Sequence, residues 1–325
     1  MNKTLSVCII ALNEEATIQD CLESVKFADE IIVIDTGSTD KTKEIASKYT
    51  QNIHDFKWTG SYSDARNYAK SFATKDWILS IDCDERLSDE THLKKLINDE
   101  RCDAWALIQS VTEEDGSLSI CNTHRLFKNL PVITWANRIH EIIDISLLKN
   151  SLKIGKSQLQ LKHLPKDKAL LENKFKGYIE QLKIDYDNPL RYYYLGLCFT
   201  TLGEFEKGLI YLYQCLNDKY TKGLQALVCM FVSDFFVQND DLWKAIEYQD
   251  AGIRICPKQY RGYVALAGLY YSIGEYDKAL KNLNQVQNNQ SLNTELVNDV
   301  NYSQQYLQDL EKLILDEKQN ISKIN

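Results

Sequence analysis

The sequence predicts an α/β domain followed by an all-α repeat domain. Three observations predict it. Short apolar runs alternate with helix-period segments through the first half, the pattern of a sheet with crossover helices. Three of those runs end in acidic or turn-forming clusters. From about Asp167 the pattern turns helical and stays so, with glycine-containing turns recurring at a period of ~34 residues. The 325-residue length suggests two domains, and 44% hydrophobic with 26% charged residues is ordinary for a globular chain. Net charge is −8 with Lys and Arg scattered, so no basic patch for a nucleic acid is visible. The nine cysteines sit mostly inside apolar runs without a CxxC pair, as reduced core residues of a cytosolic protein would. The N-terminus shows no signal-peptide apolar region, and no apolar run approaches the ~20 residues of a membrane span.

Residues 5–10 form the first apolar run, and Asn13, Glu14 and Glu15 follow it. Asn13 suits a helix N-cap and the two acids suit the helix's positive end. Ile18, Leu22 and Val25 then recur at helical spacing. Residues 30–34 make a second buried strand ending in Asp35-Thr36-Gly37-Ser38-Thr39-Asp40, a tight turn into the next helix. This βαβα order opens a nucleotide-binding half. Asp35, at the strand end, is placed for a ribose or a base edge, or serves as a cap or turn residue. Residues 52–56 suggest a short third strand, and Ser63-Asp64-Ala65-Arg66-Asn67 opens a helix. An arginine in a first turn opposes the macrodipole, so Arg66 should face an acid or a nucleotide.

The run Trp77–Ile81 ends in Asp82-Cys83-Asp84-Glu85. Ligands of open α/β sheets bind outside the carboxyl ends of the strands. Two carboxylates there suit a divalent cation carrying a diphosphate, because Mg²⁺-type ions take one or two carboxylates plus phosphate oxygens. A turn with two solvated acids is the plainer alternative. A cap for the next helix is disfavoured, since Ser88, Asp89 and Glu90 already supply one. No Gly-x-Gly-x-x-Gly follows the first strand and no P-loop is present. Residues 104–109 read as a strand and Glu113-Glu114-Asp115-Gly116 as an acidic turn. His124-Arg125-Leu126-Phe127-Lys128-Asn129 leads into Trp135-Ala136-Asn137-Arg138-Ile139-His140-Glu141, and residues 142–145 are a further apolar run. Residues 158–163 alternate like a strand ending in His163. His54 and His92 read as structural.

The succession Ala11-Leu12-Asn13-Glu14-Glu15, Asp35-Thr36-Gly37-Ser38-Thr39-Asp40, Ala65-Arg66-Asn67 and Asp82-Cys83-Asp84-Glu85 resembles family-2 glycosyltransferases of the GT-A fold. The resemblance covers roughly residues 4–165. It implies that Asn13, Glu14, Asp35, Arg66 and Asp82 bind a UDP-sugar donor, and that Asp84 binds a divalent metal, Mg²⁺ or Mn²⁺. It also implies a metal-binding role for His163 and a general-base role for Glu141. Plainer readings are a strand-edge acid for Glu141, a satisfied polar residue for His140 and a solvated strand end for His163. The resemblance further implies an inverting transfer to an acceptor.

The second half resembles tetratricopeptide repeats at roughly 189–222, 226–259 and 260–293, the middle one degenerate, with a capping helix near 294–318. Leu242-Trp243-Lys244-Ala245-Ile246 sits one period before Ala279. The expected domains are therefore 1–165, a GT-A domain, and 166–325, a helical tetratricopeptide-repeat domain. The combination resembles cytosolic, bacterial-type peptide S-glycosyltransferases that modify glycosylated bacteriocins, and its first half resembles lipopolysaccharide-core glucosyltransferases. The implied partners are a UDP-sugar and a peptide, protein or glycan acceptor, with the helical domain gripping a polypeptide or a second subunit of a homodimer. A surface-glycan enzyme and a non-catalytic peptide-binding or dimerising scaffold are the competing functions. No basic amphipathic anchor supports the first, and the intact Asp82, Asp84, Glu141 and His163 oppose the second.

Overall fold

The computed structural model describes residues 2–112, 118–164, 168–217, 219–258, 260–288 and 304–324. The acidic turn expected at 113–116 lies outside them. The chain divides into two units, Met1–Pro189 and Leu190–Asn325.

The first unit is built on a mixed sheet. Its strands are β1 (Leu5–Ala11), β2 (Glu30–Asp35), β3 (Ile53–Asp55), β4 (Trp77–Asp82), β5 (Glu85–Leu87), β6 (Ala104–Thr112), β7 (Leu118–Lys128) and β8 (Ile154–His163). They lie in the order β3-β2-β1-β4-β7-β6-β8-β5. The pairs β2–β3, β1–β2 and β1–β4 are parallel. From β4 the sheet turns mixed, with β4–β7, β6–β7 and β5–β8 antiparallel and β6–β8 parallel. Helices cover both faces, which is why β1 and β4 are apolar nearly throughout instead of alternating. On one face Val7, Ile9, Leu79 and Ile81 meet Ile18, Leu22 and Val25 of α1 (Ile18–Val25) and Leu93 of α4 (Glu90–Ile97). On the other, Cys8, Ile32, Ile34 and Ile78 meet Ala69 of α3 (Tyr62–Ser71), and Ile143 and Leu147 at α5 (Asp144–Lys149). The remaining helices of this unit are α2 (Thr42–Ala46) and α6 (Lys168–Ile184).

Three local expectations are corrected. Asn13 does not cap α1, which starts at Ile18. Asn13 lies in the left-handed region at φ 54°, and its Oδ1 accepts from Thr39 N at 2.8 Å, tying the β1 loop to the β2 turn. The helix expected from Ser63 starts earlier, because Ser61 is its N-cap and accepts from Asp64 N. The apolar run after Glu141 is not a strand. Ile142 makes one bridge to Ala136, and the chain then coils into α5, where Ser146 Oγ donates to the carbonyl of Ile143.

The second unit stacks helices in pairs: α7 (Arg191–Thr201) with α8 (Phe205–Tyr213), α9 (Lys222–Gln238) with α10 (Leu242–Ile255), and α11 (Tyr260–Ser272) with α12 (Tyr276–Asn288). The last helix, α13, spans Gln304–Ile324, and part of the capping segment expected at 294–318 lies outside the described residues. Close approach of α7 and α8 requires glycine at two places. A Cβ on Gly196 would lie 2.6 Å from Leu212 Cγ, and one on Gly208 would lie 2.5 Å from Thr200 Cγ2. All nine cysteines are free thiols, and Cys8, Cys21, Cys83, Cys198, Cys215 and Cys229 are buried. Among the described residues no helix is long and apolar enough to cross a membrane.

The three intra-pair turns share one hydrogen-bond pattern. Glu204 N, Asp241 N and Glu275 N each donate at 2.9 Å to a carbonyl five residues back, on Phe199, Phe236 and Tyr270. In each the preceding residue is left-handed: Gly203 and Gly274 at φ 78°, Asp240 at φ 59°. This is the Schellman ending, which favours glycine at that position. The middle repeat is therefore degenerate in residue type but not in backbone geometry. Asp240→Gly is expected to stabilise the chain by up to about 1 kcal/mol, since relief of the left-handed cost exceeds the added freedom of the unfolded chain. Gly274→Ala is expected to cost about 1–2 kcal/mol. Urea denaturation followed by helical circular dichroism checks both signs.

Candidate active site

The parallel register brings the carboxyl ends of three strands to one edge. Ala11 is level with Asp35, and Ile10 with Asp82. Asp35 is buried there, its oxygens accepting from Gly37 N and from Ser38 N at 3.0 Å, with Lys43 Nζ 3.8 Å away. Glu14 accepts from Thr17 Oγ1 at 2.6 Å, and its own N–H donates to Thr42 Oγ1. Asn13, Glu14 and Asp35 thus stand together on the β1 and β2 loops.

Arg66, from the first turns of α3, is 4% exposed and crosses beneath the end of β4. Its Nη2 donates to Asp82 Oδ1 at 2.7 Å, its Nη1 to Ser80 Oγ at 2.8 Å and its Nε to Glu141 Oε1 at 2.6 Å. Burial alone would weaken its charge. The carboxylates of Asp82 and Glu141 outweigh that and hold the guanidinium protonated well above its ordinary value. The first-turn placement read from the sequence does not hold, since α3 starts at Tyr62 and Arg66 is past its first turn, but Arg66 does face two acids. Its neighbour Asn67 clasps Trp135 through both backbone groups, accepting from its N–H and donating to its carbonyl at 2.9 Å each. The Trp135 ring lies under two guanidinium groups, with Arg66 Cζ 5.0 Å and Arg125 Cζ 5.6 Å from its centroid.

Arg125, Ser80, Glu85 and Trp135 are site residues for which the sequence suggested no role. Arg125 lies at an irregularity in the β6–β7 ladder. Trp105 is level with Leu126, but Ala106 is level with His124, so Arg125 is the extra residue. Strict alternation would set His124 and Arg125 on opposite faces. With the bulge, Arg125 Nη2 reaches Asp82 Oδ2 at 3.3 Å, while His124 Nδ1 lies 2.8 Å from Asp144 Oδ1 of α5. Glu85 is fully buried. Its Oε2 accepts from Asp82 N at 2.9 Å, and its other oxygen accepts from Gln109. Burial, and then the Asp82 charge, push its carboxyl well above the usual range. Beside Glu141, α6 supplies Tyr178, whose ring lies 5.6 Å from His140.

The ladder between β5 and β8 sets His163 level with Glu85, and Leu164 N donates to Asp84 O at 2.9 Å. His163 Nε2 then stands 3.4 Å from Asp84 Oδ2. On the other side of the ring, Nδ1 is 2.6 Å from Leu164 O. A carbonyl only accepts, so Nδ1 carries hydrogen. In a neutral imidazole the Nε2 lone pair therefore faces a carboxylate, which is favourable only with a cation or a proton between them. Imidazole and carboxylate both suit a divalent cation. Among the described residues no group of three His, Cys, Asp or Glu side chains gathers as a complete metal site. The remaining ligands would be substrate oxygens and water.

Residues 6–150 match the family model Glycosyl transferase family 2. The chain carries a family-2 glycosyltransferase domain. Its relatives include a TPR repeat-containing protein of Synechococcus elongatus, 37% identical over 147 residues, which are 44% of this chain and 36% of that one. An uncharacterized glycosyltransferase of Rickettsia bellii is 43% identical over 91 residues, 28% of this chain and 31% of that one. The SPbeta prophage-derived glycosyltransferase SunS of Bacillus subtilis is 26% identical over 235 residues, 66% of this chain and 54% of that one. The chain thus covers about a third of the first two relatives. Among solved structures, S. aureus TarS 1-349 in complex with UDP-GlcNAc aligns over 88% of this chain and 90% of that one, at 16% identity and a TM-score of 0.44. That likeness is too loose to bear on ligands.

With Arg66 removed, Glu141, whose side chain is 9% exposed, and Asp82 would both lose the guanidinium's charge, Asp82 keeping Arg125 at 3.3 Å. Arg66→Met is expected to cost about 3–5 kcal/mol of stability. Adding Asp82→Asn and Glu141→Gln should restore part of it, because the stranded charges go too. Urea denaturation read by tryptophan fluorescence measures this, since Trp58, Trp77, Trp105 and Trp135 all belong to the first unit.

Proposed function

We propose that this glycosyltransferase domain moves a sugar, with inversion, from a UDP-sugar to a peptide or protein side chain, acting in the cytoplasm with a divalent metal, Mg²⁺ or Mn²⁺. The observation that carries the proposal is the Asp84–His163 pair at 3.4 Å, with Nδ1 of the histidine committed to a carbonyl. Asp84 and His163 would hold the cation. A divalent cation there supplies charge neutralisation for the departing diphosphate. Asn13, Glu14, Asp35 and Asp82, on the adjoining loops, form the nucleoside side.

Glu141 is the proton acceptor. Arg66 engages its Oε1, so Oε2 takes the proton from the acceptor nucleophile as that atom attacks the anomeric carbon. The new glycosidic bond forms on one face while the bond to the diphosphate oxygen breaks on the other. A thiol acceptor needs less help than a hydroxyl, its ordinary pKa being ~8.5. The polypeptide acceptor is supported by the stacked helix pairs, whose architecture elsewhere presents extended binding surfaces. The similarity to the glycosyltransferase SunS spans 66% of this chain and so extends beyond the 6–150 segment.

Asp84→Ala is expected to abolish metal-dependent UDP release and to weaken Mn²⁺ binding measured directly by electron paramagnetic resonance, with circular dichroism unchanged. Wild-type turnover in that variant would remove Asp84 from the metal site. Glu141→Gln keeps an acceptor for Arg66 but cannot take a proton. Transfer to a hydroxyl acceptor should fall by about 10²–10⁴ with UDP affinity little altered. Loss of UDP affinity instead would make Glu141 a binding residue.

A further inference from the structure

We infer that Arg125, and not Arg66, is the guanidinium that touches the donor, and that it does so through Nη1 on a diphosphate oxygen. The inference rests on the UDP-sugar reading above and distributes its charges between named atoms.

Two arginines meet Asp82, one on each carboxylate oxygen. They differ in what they have left to give. Arg66 is buried, with Nε, Nη1 and Nη2 each committed at 2.6–2.8 Å to a separate protein oxygen. A ligand could engage it only at the expense of bonds that hold Glu141, Ser80 and Asp82 in place. Arg125 is loosely held. Its Nη2 reaches Asp82 and its Nε reaches Thr123 Oγ1, both at 3.3 Å, at the long end of hydrogen bonding. Its Nη1 is buried and meets no hydrogen-bond acceptor among the described residues. A buried guanidinium nitrogen without an acceptor is costly, and a native structure that keeps one requires a reason.

The sheet irregularity supplies an independent argument. Arg125 has the parity of Phe127, whose ring lies 6.0 Å from that of Trp135, so it stands on the Trp135 side, and the irregularity sets His124 on that side as well. Bulges recur beside active sites because they re-aim a side chain. Here the side chain at the bulge is the arginine with a donor to spare, stacked 5.6 Å from the Trp135 centroid next to the acid at the end of β4. A planar cation with one nitrogen already on a carboxylate is shaped to take a phosphate oxygen with the other. Asp82 thereby has a second role: its Oδ2 holds Arg125 at the reacting end of the donor.

The test is titration of the full chain with UDP and with uridine in the presence of Mn²⁺, read by calorimetry for UDP and by ligand-observed NMR for uridine. Arg125→Gln is expected to weaken UDP by about tenfold or more and to leave uridine binding unchanged, because only UDP carries the phosphates. Arg125→Lys, which keeps the charge but has a single nitrogen, should fall between wild type and Arg125→Gln, and its melting curve checks that the site still folds. Raising NaCl should weaken UDP binding more in the wild type than in Arg125→Gln. Equal UDP affinity in wild type and both variants overturns the assignment. So does a parallel loss of uridine and UDP binding, which would make Arg125 only a prop for Asp82. A wild type that binds neither overturns the donor reading itself, and this assignment with it.

Discussion

The guanidinium of Arg66 fixes how far apart the two acids of the site can be. Its three nitrogens point in directions set by a rigid plane, and each direction ends on a different element: Asp82 and Ser80 on β4, and Glu141 on the segment before α5. Such a fork gives more than charge balance, because a flexible lysine would neutralise the same acids without specifying their geometry. Asn67, one residue on, clasps Trp135, which is stacked against both arginines. Two consecutive residues of α3 therefore organise the acid at the end of β4, the proposed proton acceptor and the aromatic floor.

The sheet explains why these groups meet at one edge. In its parallel half, strand ends and the loops after them share a level, so Asn13, Asp35 and Asp82 follow from the βαβ order. Its antiparallel half brings in groups from far along the chain. β7 delivers Arg125 and β8 delivers His163, the latter by pairing with the short β5 that follows the Asp82–Asp84 turn. The mixed topology thus adds an arginine and an imidazole to a platform of carboxylates. Glu85, buried between them, holds the turn through the Asp82 amide.

What could be read in the sequence was whatever depends on neighbouring residues. The strand runs and the acids ending them at Asp35 and Asp82–Asp84 were visible because burial on both faces writes continuous apolar segments. Arg66 was conspicuous because a helix opening at Ser63 would put its charge in the first turn, although α3 in fact starts at Tyr62. The helical pairs were visible through their turn glycines. The residues that escaped depend on geometry without a local signature. A one-residue bulge in β7 looks like any other strand residue, so Arg125 carried no mark. Asn13 looked like a cap because asparagine suits both caps and left-handed turns, and only its bond to Thr39 decides which. The run after Glu141 is apolar enough for a strand, but it coils into α5, where Ser146 Oγ donates to the carbonyls of Ile143 and Thr134.

The site is also assembled across long stretches of chain. Arg66 and Glu141 are 75 residues apart, and Asp82 and Arg125 are 43 apart. Closing such loops adds only ~0.6 kcal/mol per doubling of length, so the cost to the finished structure is small. The kinetic consequence is larger, because contacts of high sequence separation form late. The helix pairs of the second unit need only neighbouring segments, each turn closing over five residues. A refolding chain would regain much of its helical signal before Arg66 has both of its carboxylates. Recovery of secondary structure and recovery of a competent centre are therefore separate events in time, and the second waits for the mixed half of the sheet.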